Sequence, residues 1–256
     1  TATRPTTMKH HSASVLQLLD DLVDANLILF NEGVVDAFGH VSVRHPDKPD
    51  HYFLARNMAP GLVKREDIIE FDLDGEVVDG DTRKVYLERY IHGEIFRARP
   101  DVMAVVHSHS PSVVPFSAVK SNPLRPLCHM SGFIGREAPI FEIRDVAGDA
   151  TDLLITNPKL GAALSSTLAN NTVVLMRGHG STVVAPTLKQ AVYRAIYVEV
   201  NARLQAEASR LGPIEFLSEG EMETTQKTIE GQVERPWQLW RMRARHAQQQ
   251  WLDSGL

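Results

Sequence analysis

The sequence predicts an α/β protein in which helices flank a mixed or antiparallel sheet. Three observations carry that prediction. Segments with apolar residues at i, i+3, i+4 and i+7 alternate with short apolar runs of strand length. Asp74-Gly75 sits between two such runs, a hairpin signal that implies antiparallel pairing. The chain contains neither GxGxxG nor the GxxxxGK phosphate loop, so the common nucleotide-binding folds lose their signature.

Taken from the N-terminus, Val15, Leu18, Leu19, Leu22 and Val23 lie on one helical face and predict a helix from Ser12 to about Asn31. Ser12 or Ser14 is its cap. "GHVSVRH" alternates Val41 and Val43 with polar neighbours, the pattern of a half-buried strand, and "HYFLAR" reads as its neighbour. "DIIEFDLDGEVVDG" is the hairpin. Residues 85–98 read as a helix that stops at Arg99-Pro100, because the residue before proline is pushed out of the α region. "VMAVVHSH" is a buried strand. "SPSVVPFSAV" reads as a short helix with Ser110 as cap and Pro111 at its first position. Residues 157–169 form another short helix, "NTVVLMRGHGSTVVA" two strands broken at Gly178 and Gly180, and 187–211 a long helix ending before Gly212-Pro213.

The chain has 256 residues, enough for one large domain with an appendage. The expected division is a catalytic domain over 1–212 and a charged, Gln-rich tail over 213–256. The tail reads as two helices that pack at a subunit interface. Apolar residues at 43% and charged residues at 23% fit a soluble protein with a substantial core. A formal charge of -5 gives no reason to expect nucleic acid or an anionic membrane as partner. The single cysteine, Cys128, excludes a disulfide-dense secreted scaffold. The segment "TATRPTTMKHH" lacks the apolar core of a secretory signal, and no apolar run reaches membrane-spanning length. A cytoplasmic location is the expectation.

The histidines carry the chemistry. His107 and His109 are spaced i, i+2 at the end of an apolar strand, which puts both rings on one face. By itself such a pair is more often two polar residues at a strand end than a metal site. His179 ends a second apolar strand between Gly178 and Gly180 and is the best third ligand. The acid is Glu88, with Glu94 as competitor on the same helix. His92, four residues after Glu88, reads as structural. His10, His11, His45, His51 and His246 lie in polar surroundings and read as exposed. His129 stays open, in an apolar stretch beside Cys128.

"GHVSVRH", Glu88 ahead of "ARPDVMAVVHSHS", and "VLMRGHGSTVVA" together resemble the class II aldolase/adducin family, over roughly residues 12–211. The resemblance implies a three-layer α/β/α fold around a mainly antiparallel sheet, assembled as a homotetramer with active sites near subunit interfaces. It implies that His107, His109 and His179 hold one divalent metal ion per subunit. Glu88 then moves protons and also ligates the metal when substrate is absent. Three histidines and a carboxylate suit zinc, manganese, iron or cobalt.

Departures from the family's sugar-phosphate aldolases sharpen the expectation. Those enzymes carry a Ser-Ser pair before the Glu, a Ser-Gly turn and an Asn in "GN-S", which together bind phosphate. Here Tyr86-Leu87, "ARNMAPGLV" and His40 stand in those places. The pattern is closer to the branch of metal-dependent decarboxylases of hydroxylated aromatic acids, such as hydroxymethylpyridine-dicarboxylate and dihydroxyphthalate decarboxylases. For such a substrate Arg56 and His40 are the expected anion contacts, and Tyr86, Phe116 and Phe133 the expected aromatic walls. The expected activity is non-oxidative release of CO2 from a hydroxylated aromatic or heteroaromatic (di)carboxylic acid. The alternatives are an aldolase or epimerase acting on a non-phosphorylated substrate, an iron-dependent oxygenase, and a non-catalytic scaffold like the adducin head.

Overall fold

The structure is a computed structural model and describes residues 10–255. The reading of residues 1–9 as lacking a secretory signal lies outside the described residues. A seven-stranded sheet forms the centre. Its strands are β1 (His40–Arg44), β2 (His51–Ala55), β3 (Ile68–Asp72), β4 (Ala104–Ser108), β5 (Ile140–Phe141), β6 (Val173–Met176) and β7 (Gly180–Ala185). They run in the order β3-β2-β1-β4-β7-β6-β5, antiparallel throughout except for the short β5–β6 pair. One face is covered by α1 (Ala13–Asn31) and α6 (Leu188–Leu211). The other is covered by α2 (Arg89–Ala98) and α5 (Pro158–Leu168), with α4 (Arg144–Ala147) packing beside α5, while α3 (Val114–Ala118) packs against β6 and β7. This is the predicted three-layer arrangement.

The first helix begins as expected, with Ser12 accepting from the Val15 N–H. Strand β1 departs from the half-buried reading. All five of its residues are buried, because helices cover both faces of the sheet. Val41 and Val43 serve one face, and His40 and Ser42 serve the other.

The Asp74-Gly75 turn forms, with Gly75 at φ 79° and its N–H bonded to the Asp72 carbonyl at 3.1 Å. Its second arm pairs only through the Phe71–Val77 bridge. The Asp79 carboxylate takes the Glu70 N–H at 2.9 Å in place of a ladder partner. The helix expected from Ser110 starts later, at Val114. The Ser110 hydroxyl is drawn away from capping to donate to buried Glu199 at 2.9 Å.

The tail forms two helices, α7 (Glu219–Glu230) and α8 (Glu234–Asp253), and both pack on the body of the same chain. Helix α7 lies on the 3₁₀ turn at His129–Ile134 and α8 lies along α1. Trp237 is fully buried. Arg194 on α6 binds Glu230 with its Nη2 at 2.8 Å, and Arg245 reaches Asp24 at 2.7 and 2.9 Å. Among the described residues, no helix is long and apolar enough to cross a membrane.

Candidate metal centre and cavity

Strand register builds the site. His40 on β1 is directly opposite His107 on β4, so their side chains share one face of the sheet, and the two rings lie 5.0 Å apart. His107 is the penultimate residue of β4. His109 follows one residue beyond the strand, on a loop that Glu199 grips through the Ser110 hydroxyl and the Ser112 N–H.

His179 sits in the turn between β6 and β7. There Gly180 is required by space, since a Cβ would lie 2.0 Å from the Ser108 carbonyl oxygen. Glu88 is not within a helix as the sequence suggested, but at the N-cap position of α2. Its side chain makes no capping bond. It turns inward, where Oε2 accepts the Ile155 N–H at 3.0 Å.

One ligand atom from each of Glu88, His107, His109 and His179 falls within a 4.8 Å cluster. His107 Nε2 and His179 Nε2 lie 3.7 and 3.5 Å from Glu88 Oε1, and His109 Nε2 is 3.1 Å from His179 Nε2. A carbonyl can only accept, so the contacts from His107 Nδ1 to the Ser181 carbonyl (3.1 Å) and from His179 Nδ1 to the Leu153 carbonyl (3.0 Å) fix the ring protons on Nδ1. Each Nε2 therefore turns a lone pair toward the cluster, as metal-bound imidazoles require. His107 Nε2 is buried and has no hydrogen-bond partner, which a cation at this point would satisfy. The donor set thus fits a divalent ion.

For Glu88 and His107 the electrostatics agree. Burial alone would raise the Glu88 carboxyl, but His107 and His179 outweigh it and hold it down to about 2, as a carboxylate. Burial pushes His107 down to about 3, and so keeps it neutral. His179 differs: burial lowers it, but Glu88, with the Leu153 carbonyl and Asp152, moves it upward, so its Nε2 is freed for an ion only when the ring is neutral.

A second group, His11, His45 and Glu70, also brings three ligand-type atoms together. Its polarity is wrong for a cation. His45 Nδ1 accepts the Asp47 and Lys48 N–H groups at 3.0 and 3.2 Å, so the neutral ring carries its proton on Nε2. Glu70 is already paired with His51 at 2.6 Å. Buried His45 and partnered His51 correct the expectation that both are merely exposed. His10, His129 and His246 are exposed and stand outside the cluster, as does Glu94, which is buried near Arg97.

A cavity of about 500 Å³ opens beside the cluster, lined by His40, Tyr86, Glu88, His107 and His109 and by the apolar side chains of Phe38, Met58, Leu87 and Leu154. Of the residues expected to contact substrate, His40 and Tyr86 line the cavity, Tyr86 with its ring, since its hydroxyl donates to the Met58 carbonyl at 2.6 Å. Arg56 is a correction. It is absent from the cavity wall, and its Nε donates to Asp67 at 2.8 Å. Phe116 and Phe133 are also corrections, being buried in the core. The aromatic wall comes instead from Phe38, two-thirds exposed and stacked 6.1 Å from His109. Sequence reasoning missed it, although its place just before Gly39-His40 was the available signal.

Fold and site define an α/β protein whose buried His/Glu cluster suits a divalent ion, and comparison with known proteins narrows this. Residues 20–206 match the family described as Class II Aldolase and Adducin N-terminal domain. The decarboxylase tropJ of Talaromyces stipitatus is 40% identical over 236 residues, covering 83% of this chain and 88% of its own. The 3,4-dihydroxyphthalate decarboxylase of Arthrobacter keyseri is 32% identical over 199 residues, covering 72% and 76%. Among solved structures, L-fuculose 1-phosphate aldolase from Glaciozyma antarctica superposes with a TM-score of 0.75 at 25% identity, over 96% of each chain. The chain belongs to the class II aldolase and adducin family. Within it the protein is an enzyme of the decarboxylase branch, a carbon–carbon lyase of the carboxy-lyase kind.

Proposed function

We propose that the enzyme releases CO2 without oxidation from a hydroxylated aromatic or heteroaromatic carboxylic acid, and that it needs a divalent metal to do so. The observation that carries this reading is the contrast within one cavity. Glu88, His107 and His109 line one end with His179 clustered beside them, the walls are largely aromatic and aliphatic, and the described lining residues include no Ser, Thr, Lys or Arg. A phosphorylated sugar would find there neither a cationic side chain nor the serine hydroxyls expected of the sugar-phosphate aldolases. A flat ring carrying one hydroxyl next to one carboxylate suits it. The names of the two relatives, one acting on dihydroxyphthalate, point the same way.

His107, His109 and His179 are the residues to hold the ion, with Glu88 as a further donor before substrate enters. Zinc, manganese, iron or cobalt bound there supplies a Lewis acid to the substrate's adjacent oxygens. The ionised Glu88 takes the proton of the ring hydroxyl and returns it to the carbon that bears the carboxylate. A C–H bond forms as the ring becomes a dienone. The C–C bond to the carboxylate then breaks, its electron pair re-enters the ring, CO2 leaves, and the phenolate takes a proton from solvent. Glu88 ends as it began. Phe38, Met58, Leu87 and Leu154 hold the ring and keep water from it. The same reading puts four copies around a fourfold axis in the cytoplasm, with residues 213–256 also touching a neighbour.

The test is a CO2-release screen across hydroxybenzoates and hydroxypyridine carboxylates, run beside a retro-aldol assay with small hydroxy-keto acids. CO2 without aldehyde is expected. Aldehyde without CO2 overturns the reading in favour of an aldolase.

A further inference from the structure

Behind the cavity wall runs a buried chain of three polar side chains that the metal cluster does not use. His40 Nδ1 lies 2.6 Å from His92 Nε2, and His92 Nδ1 meets the Ser42 hydroxyl. Ser42 and His92 are fully buried and His40 nearly so. The sheet sets this up, because His40 and Ser42 are two apart on β1 and so face α2 together, where His92 sits one turn after Glu88.

The chain has a direction. The Ser42 hydroxyl has to donate somewhere, since it is shut away from water. Among the described residues its one partner is His92 Nδ1. The proton of His92 is therefore on Nε2 and is donated to His40 Nδ1. That leaves the proton of His40 on its own Nε2, the ring nitrogen left for the cavity, whose wall includes His40. The opposite order would leave a buried hydroxyl with no acceptor, at a cost of about 1–3 kcal/mol.

We propose that Ser42 and His92 lock His40 as a neutral Nε2–H donor aimed into the cavity, and that this donor binds an oxygen of the hydroxy-carboxylate substrate. His40 is then a specificity-determining contact, and His92 and Ser42 are positioning residues. The substrate half of this inference rests on the function proposed above. The tautomer half does not. The arrangement favours an acceptor oxygen opposite His40 and disfavours a cationic or donor group there.

Two measurements test it on the zinc-loaded chain. Long-range 1H–15N correlation spectra of 15N-histidine-labelled protein read the tautomers directly, with His40→Gln and His92→Gln giving the assignments. Protons on Nε2 of both His40 and His92 are expected, and a proton on Nδ1 of either overturns the lock. Equilibrium binding of salicylate reads the donor. Wild type and His40→Gln, which keeps an N–H near the same place, are expected to agree within a few-fold. His40→Leu is expected to weaken binding roughly ten-fold, the loss of one hydrogen bond. Salicylate binding that is absent from wild type, or unchanged in His40→Leu, overturns the substrate contact. Neither measurement needs turnover. A correct tautomer pattern and salicylate binding without any CO2 release would sink the proposed reaction alone.

Discussion

His107 Nε2 lies 3.7 Å from Glu88 Oε1, yet it has no hydrogen-bond partner. The Ser181 carbonyl explains this, because it holds the ring proton at Nδ1 and leaves a bare lone pair facing a carboxylate. Two electron-rich atoms buried face to face repel one another unless a cation lies between them. That relationship is the centre of the account, and it makes Glu88 and the histidines one unit.

Replacing Glu88 with Gln keeps the shape and removes the proton acceptor. The expected result is a loss of about 100-fold or more in kcat for CO2 release, with the circular dichroism spectrum unchanged. Full turnover by Glu88→Gln would remove Glu88 from the role given to it.

Acid should destabilise the metal-free protein through its buried histidines. Burial holds His92 and His107 down to about 3, whereas in the unfolded chain they titrate near the ordinary histidine value of 6.5. Between those values the unfolded state binds more protons, so stability falls as pH is lowered through 6.5 and goes on falling toward 3. At pH 5 each such histidine lowers stability by about 2 kcal/mol relative to pH 7 and above. Urea denaturation of the metal-free chain at pH 7 and pH 5 checks this, and equal midpoints at the two values would contradict it.

The tail is bound to the body by more than its ion pairs. Trp237 on α8 is fully enclosed, and Trp237→Ala is expected to lower unfolding stability by about 3–5 kcal/mol, in a single transition. An unchanged melting temperature would show instead that α8 contributes nothing to the fold of its own chain.

The fold was largely legible in the sequence because its signals are local. Ser12 caps its helix, Asp74-Gly75 turns the chain, and the strand around His107 is a run of buried aliphatics. Spacing alone favoured polar strand ends for His107 and His109 and left Glu88 and Glu94 level; only the family resemblance joined Glu88, His107, His109 and His179, the four that the fold brings together. The substrate contacts were less so, because lining a cavity is a long-range property. Arg56 looked free in the sequence, and only the fold brings Asp67 to it. Phe116 and Phe133 look no different from Phe38 as letters, yet they face the core while Phe38 faces the cavity. His92 was read as structural, but its partners are fifty residues or more away in the chain, and no spacing rule finds them.

His109, half-buried just beyond the end of β4, tests the proposed ligand set. His109→Ala is expected to lose its divalent ion on dialysis, while wild type keeps one per subunit by elemental analysis. A variant that still holds stoichiometric metal would remove His109 from the ligand set.

The most direct test of the central claim is CO2 release by the wild-type enzyme before chelation, after chelation, and after one equivalent of divalent metal is returned. The account predicts release from a hydroxy-aromatic carboxylate, its loss with the metal, and its recovery at a single equivalent. Undiminished CO2 release by the metal-free enzyme would contradict it.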